Sequence, residues 1–167
     1  GNNNAYCRDD EIAWVDWDLD TRQRELLAFA ARVFAIRRGN PVLRRRSFFS
    51  GGPTGDGAKD VAWVREDGDE MTLLDWSDPQ RRMLGMLVDG QATDEVDERG
   101  EPIRGDTLFL VASADNRARL FRLPELPTPG VWRELVNTAR PTLRPVRAGR
   151  VRLTPNSLVL LRYEAVA

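Results

Sequence analysis

The sequence predicts a mainly β chain: an antiparallel β-sandwich over residues 47–167, preceded over residues 1–46 by an irregular loop and one helix. Three observations predict it. Helical periodicity is confined to a single stretch that stops near Arg38. Beyond about residue 46 it is replaced by short segments that alternate apolar and polar residues. Gly- and Pro-rich breaks separate those segments at hairpin-length spacing. A closed barrel of the same strands is the structural alternative.

Residues 1–20 read as loop. Asn2-Asn3-Asn4 and Asp9-Asp10-Glu11 carry side chains that bond the nearby backbone and compete with regular ladders. Trp14, Val15 and Trp17 add apolar bulk at a spacing too short to define an element. Thr21 to Arg38 is the clearest helix. Asp20 caps it and Gln23 completes a capping box. Leu26, Leu27, Ala30, Val33, Phe34 and Arg37 recur at steps of three and four, giving one apolar stripe that ends in a cation. Arg37 and Arg38 suit the carboxyl end, Gly39 is expected in the left-handed position beyond it, and Pro41 stops continuation. One helix cannot bury its stripe alone. It can fold onto the sandwich, pair with a second copy, or stay frayed; it also suits the last helix of an upstream α/β domain.

Phe48 and Phe49 are expected to enter the sandwich core. Ser50 to Gly57 is a loop whose glycine spacing, with no following Lys-Ser/Thr, does not make a phosphate-binding loop. Asp60–Val64 is expected as a brief strand or docked segment, and Asp67-Gly68 as a turn. Asp75-Trp76-Ser77-Asp78-Pro79 begins an aromatic-anchored turn. Arg82–Val88 reads as strand rather than helix, because Gly85 sits in its middle and Asp89-Gly90 closes it. Thr107–Ala112 and Arg119–Leu123 follow, with Ala114-Asp115-Asn116 as the turn between them. Trp132–Asn137 and Arg150–Thr154 come next. Leu158–Arg162 is the last strand, joined to its neighbour through Pro155-Asn156.

At 41% apolar the chain can form a real core. No apolar run approaches the roughly 18 residues a membrane helix needs, and the first residues are polar, so neither a membrane span nor a leader is expected. Lysine plus arginine is 25 against 26 for aspartate plus glutamate, which gives no net drive toward nucleic acid. The charges do separate locally: Asp94-Glu95-Val96-Asp97-Glu98 is acidic, and Arg140, Arg144, Arg147, Arg150 and Arg152 form a basic stretch. A single cysteine, Cys7, allows no intramolecular disulfide and fits a cytoplasmic location. The chain has no histidine, so a Ser-His-Asp triad, a Cys-His pair and a histidine metal cluster are all excluded within it. No cofactor and no metal are expected.

That leaves the carboxylates and the aromatics. Asp9 and Glu11 share one side of an extended segment, but about 6.6 Å of backbone rise separates them, on a loop with no visible clamp. A retaining glycosidase pair needs about 5–5.5 Å, so no catalytic residue is assigned. Trp63, Trp76 and Trp132 are scattered, which favours packing in the core or between domains over a sugar-binding platform. Trp14 and Trp17 are expected as packing anchors.

Gly1 to Glu11, followed by Trp14-Val15-Asp16-Trp17, resembles the loop late in the catalytic barrel of bacterial glycogen-debranching enzymes, the isoamylase-like members of the α-amylase superfamily. Arg37 to Phe49 resembles the exit from their last barrel helix. Asp60-Val61-Ala62-Trp63, Asp67 to Thr72, Asp75-Trp76 and Leu84 to Gly90 continue the likeness, which loosens through Gly105-Asp106-Thr107 and Ser157 to Arg162. Arg8 and Asp10 depart from the Gln and Asn that such enzymes often carry.

The resemblance implies that residues 1–46 are the last loop and helix of a (β/α)8 barrel. It also implies a parent that hydrolyses α-1,6 branch points with retention, using acidic residues that all lie upstream of Gly1. No catalytic residue therefore transfers to this sequence, and the chain alone is expected to be inactive. The partners implied are the barrel and, in the intact enzyme, a branched α-glucan. Asn2, Asn3, Asn4, Tyr6, Asp9 and Glu11 become candidate residues at the rim of the sugar site. The asparagines equally suit stitching the loop together.

Overall fold

The structure is a computed structural model and describes residues 4–53, 57–93 and 95–166. Its contacts divide into two compact units, Gly1–Ala35 and Ile36–Ala167, so the division falls inside the helix, whereas the sequence pattern places the boundary at 46/47.

The first unit holds the loop and most of helix α1, Thr21–Gly39. The capping box forms as expected: Gln23 N donates to Asp20 Oδ1 at 2.8 Å, and Asp20 N to Gln23 Oε1 at 2.8 Å. No residue of α1 is buried, and Leu26 and Phe34 are each 65% exposed. The carboxyl end differs from expectation. Gly39 keeps a negative φ and stays in the helix. Asn40 terminates it instead, leaving the helical region at φ −117° and donating its side-chain amide to Ile36 O at 2.8 Å. An unpaired last-turn carbonyl is thus satisfied by a side chain rather than by a left-handed backbone. Pro41–Arg44 then forms one 3-10 turn.

Besides that 3-10 turn, the second unit carries, among the described residues, seven strands and a one-turn helix: β1 Val61–Val64, α2 Leu73–Trp76, β2 Met83–Val88, β3 Leu108–Ser113, β4 Arg119–Arg122, β5 Gly130–Asn137, β6 Arg150–Leu153 and β7 Ser157–Ala165. All pairings between these strands are antiparallel. Five strands make one sheet in the order β1-β2-β3-β7-β5, and β4 pairs with β6 in a second. The larger sheet ends in edges β1 and β5, so it is an open sandwich and not a closed barrel.

Alternation builds the core. Phe109, Val111, Val159 and Leu161 face one way and meet Phe121, Leu123, Val151 and Leu153 of the small sheet. Phe109 touches Phe121 and Trp132, with ring centroids 5.8 and 5.7 Å apart. The intervening positions face the opposite side, where Val61, Val88 and Leu108 are covered by Val42 of the 3-10 turn. Both faces of the five-stranded sheet therefore carry core, which needs the covering turn on one side and the β4–β6 sheet on the other.

Two expectations about connection and packing are corrected. Ala114-Asp115-Asn116 and Pro155-Asn156 were read as turns between neighbouring strands. Pro155-Asn156 is a turn, with Asn156 at φ +50°, and Asn116 lies in a bend, but each segment carries the chain from one sheet to the other. They lie together, Asn156 N donating to Asp115 O at 3.2 Å. Phe48 does not enter the core: it is 98% exposed, and the half-exposed Phe49 lies under the Arg45 guanidinium at 4.7 Å. The side chain buried in that stretch is that of Arg45, ion-paired with Asp60 at 3.1 Å with both side chains under 7% exposed. Among the described residues, no helix is long and apolar enough to cross a membrane.

Candidate functional site

Asn2 and Asn3 lie outside the described residues. The rest of the expected rim is a tight, self-bonded loop. Tyr6 and Cys7 are consecutive left-handed residues, φ 46° and 60°, and Arg8 N closes the turn onto Ala5 O at 3.0 Å. Two adjacent non-glycine residues there cost strain that the following segment must hold. Asp10 supplies that hold. Its carboxylate accepts from Ile12 N at 3.1 Å and Arg8 Nε at 2.8 Å, while its carbonyl accepts from Ala13 and Trp14. Arg8 and Asp10 are thus bonded to each other.

The chemistry available to this loop is limited. Asp9 commits Oδ1 to Trp14 Nε1 at 2.7 Å, and Glu11 is exposed. Tyr6 is 83% exposed and Asn4 is exposed as well, so both stand at the surface. Trp14 and Trp17, expected as packing anchors, are 56% and 73% exposed. The loop offers exposed amide, phenol, indole and carboxylate groups, a set suited to touching hydroxyls and sugar faces. Among the described residues, no group of three or more metal-ligating side chains comes together.

In the β-unit, Trp132 packs in the core. It is 7% exposed and meets Tyr163 edge-on at 4.9 Å. Trp63 and Trp76 instead form an edge-to-face pair at 5.6 Å and 78°, with 36% and 52% of their surface exposed. Trp76 is the last residue of α2, whose start is fixed by a capping box: Asp75 N donates to Thr72 Oγ1, and Thr72 N to Asp75 Oδ2 at 2.8 Å. Arg81 and Arg65 grip the same carboxylate at 2.6 and 3.4 Å. The Thr72 N–H and hydroxyl, then the two guanidiniums, hold Asp75 below the usual carboxylate range. Beside Trp76 lies a cleft of about 340 Å³. The sequence contained one signal for this arrangement, Thr72-Leu73-Leu74-Asp75, which has the spacing of a capped helix start.

Parts of both charged segments are taken up in structure. Glu134, 8% exposed, takes Arg140 Nη2 through both oxygens at 2.6 and 2.7 Å and also accepts from Arg144 N. Glu95 accepts from Arg46 N, Ser47 N and Ser47 Oγ; the Ser47 N–H in particular lowers its pKa. Asp94 lies outside the described residues.

No family model matches the chain. The glycogen operon protein GlgX homolog of Mycobacterium tuberculosis is 39% identical over 126 residues, covering 74% of this chain. The glycogen debranching enzyme of Dickeya chrysanthemi is 37% identical over 133 residues, covering 80% of the chain. This chain is a homologue of the bacterial glycogen-debranching proteins. The homology is to a segment, since the chain spans 18% of the M. tuberculosis protein and 16% of the D. chrysanthemi enzyme. Among solved structures, a pullulanase complexed with maltotetraose from Anoxybacillus sp. LM18-11 superposes with a TM-score of 0.47 at 10% identity, covering 91% of this chain and 17% of that one.

Proposed function

We propose that the chain is the carboxyl-terminal part of a cytoplasmic glycoside hydrolase that cleaves α-1,6 branch points of glycogen or limit dextrin. The observation that carries this reading is the 39% identity to a GlgX homolog over three quarters of the chain. Its role is to support a catalytic barrel and shape the rim of the cleft through Asn2, Asn3, Asn4, Tyr6, Asp9 and Glu11. The chemistry belongs to carboxylates elsewhere in the parent. In support, Asp9 is held by an indole and Glu11 is exposed, so neither sits in the clamped, buried setting a catalytic carboxyl pair needs. A lone exposed thiol suits a reducing cytoplasm.

The test is release of linear chains from glycogen. The 167-residue chain, rigorously purified, is expected to release none, and the longer protein encoded with its upstream sequence is expected to debranch limit dextrin. Hydrolysis by the short chain, or a longer protein with no α-1,6 activity, would overturn the reading. One observation favours a second role within the same protein, non-catalytic binding of α-glucan: the exposed pair of Trp63 and Trp76.

A further inference from the structure

Register and alternation put Trp63, Leu84 and Ala112 on the same face of the five-stranded sheet as Val61 and Leu108. That face is covered by Val42 and Leu43 near Val61 and Val88, but the cleft beside Trp76 remains open. We propose that this cleft is an accessory subsite for a short stretch of α-glucan, with the Trp76 ring, supported by Trp63, as its sugar-stacking wall. The proposal rests on the reading of the chain as part of a glucan-acting protein.

Three features point to a sugar. The first is shape and polarity. The cleft wall is mostly apolar, with Met71, Trp76 and Leu84 among its lining, and its volume of about 340 Å³ is at the small end for ligand sites. A pyranose ring presents a C–H face to such a wall and hydroxyls at its edge.

The second feature is the rim. Asp78 and Arg82 border the cleft and keep hydrogen-bonding capacity in hand. Asp78 Oδ1 accepts from Gln80 N at 2.9 Å, which uses one of about four lone-pair sites. Arg82 Nη1 donates to Pro79 O at 2.9 Å and to Arg81 O, which leaves other guanidinium donors. One acceptor and one donor of opposite charge suit a neutral, hydroxyl-rich ligand.

The third feature is preorganisation. The capping box and the Arg65 and Arg81 bridges to Asp75 fix the turn that bears Trp76, and the edge-on contact with Trp63 fixes the ring. A wall held before binding loses little entropy when the ligand arrives. Arg81 belongs to this support, tied to Asp75 and Glu66.

The experiment titrates the full chain with maltoheptaose and, as a control of different linkage, cellohexaose, reading tryptophan fluorescence and heat. Saturable maltoheptaose binding with a Kd on the order of 1 mM is expected, and at least tenfold weaker response to cellohexaose. Trp76→Ala should abolish the fluorescence change and weaken binding at least tenfold. Because Trp76→Ala removes packing, the double variant Asp78→Ala, Arg82→Ala provides an independent arm and should also weaken binding at least tenfold without shifting the unfolding midpoint.

No saturable response in the wild type overturns the proposal. So does binding that survives both Trp76→Ala and the rim variant. Leu73 and Leu74, 88% and 84% exposed on the same short helix, define the competing outcome. If sugar is silent while Leu73→Ser with Leu74→Ser abolishes self-association, the surface is a protein contact and not a sugar subsite. Failure here with debranching intact in the longer protein removes only the subsite. Loss of α-1,6 activity in the longer protein with sugar binding intact removes the hydrolase reading instead.

Discussion

Asp60 shows how much one side chain can fix. It sits at 2% exposure between the 40–50 segment and β1. Its carboxylate accepts from Ser50 N and Gly51 N at 2.9 Å each and bridges Arg45 at 3.1 Å. Burial by itself would raise its pKa, but the Ser50 and Gly51 N–H groups and Arg45 outweigh it and hold the carboxyl below its ordinary 3.8. Asp60→Asn keeps the shape and removes the charge from a buried pair, so a loss of about 3 kcal/mol is expected in urea unfolding at neutral pH. The sign of the pH effect follows from the direction of the shift. Below pH 3.8 the unfolded chain takes up the proton while the folded one resists, so stability rises with pH in that window. The contribution is complete above the ordinary value and is lost as pH falls through the folded one. Urea midpoints between pH 7 and pH 3 should therefore fall more steeply in the wild type than in Asp60→Asn. Parallel curves would show that Asp60 titrates as it does in the unfolded chain.

Gly85 makes the corresponding argument for an element. It sits mid-strand in β2, paired with Val64 on one side and Val111 on the other. A Cβ there would lie 2.5 Å from Phe109 Cζ and 2.9 Å from Phe121 Cζ, two fully buried rings that touch each other. Gly85→Ala should therefore cost about 1–3 kcal/mol by overpacking, read as a lower denaturant midpoint with unchanged slope. A neutral result would mean that the rings are free to move apart. The same residue illustrates what the sequence discloses. Gly85 in an apolar run argued for strand over helix, and β2 is a strand. The other strands also lie where alternation placed them, because inward positions such as Phe109, Val111, Val159 and Leu161 are set by a local period. The partner of each strand was not legible. Ala114-Asp115-Asn116 and Pro155-Asn156 have hairpin composition, yet they cross between sheets, since turn residues fix local backbone and not which ladder the next strand joins. Phe48 failed for a related reason: an apolar residue signals that burial would be favourable, not that the chain reaches a place where it occurs. In the candidate site, the Asp20–Gln23 box was legible because it is local in sequence. The Trp63–Trp76 pair was not, because a thirteen-residue separation closes only when Met71 N bonds Trp63 O and folds the segment back.

At the scale of the whole molecule, the open question is the apolar stripe on α1. The β-unit satisfies its own core, with eight large side chains below 2% exposure. The stripe does not share in such burial. Leu26, Leu27 and Phe34 are more than half exposed and Val33 is 36% exposed, along a helix with no buried residue. Each such side chain is worth roughly 1.5–3 kcal/mol when fully buried, so the stripe is a strong drive toward a second surface. Under the proposed function that surface would be the barrel, and in the isolated chain a second copy is the partner always present. The 167-residue chain is therefore expected to associate as concentration rises, with sedimentation shifting from monomer to dimer across the micromolar range. Leu26→Ser with Phe34→Ser removes the two most exposed members of the stripe and should hold the chain monomeric throughout. Neither position contributes to the β-unit core, so the double variant should leave the strand signal in circular dichroism and the main unfolding midpoint where they were. Association that persists in this variant would place the contact elsewhere, and a wild type monomeric at every concentration would show that the stripe is tolerated wet.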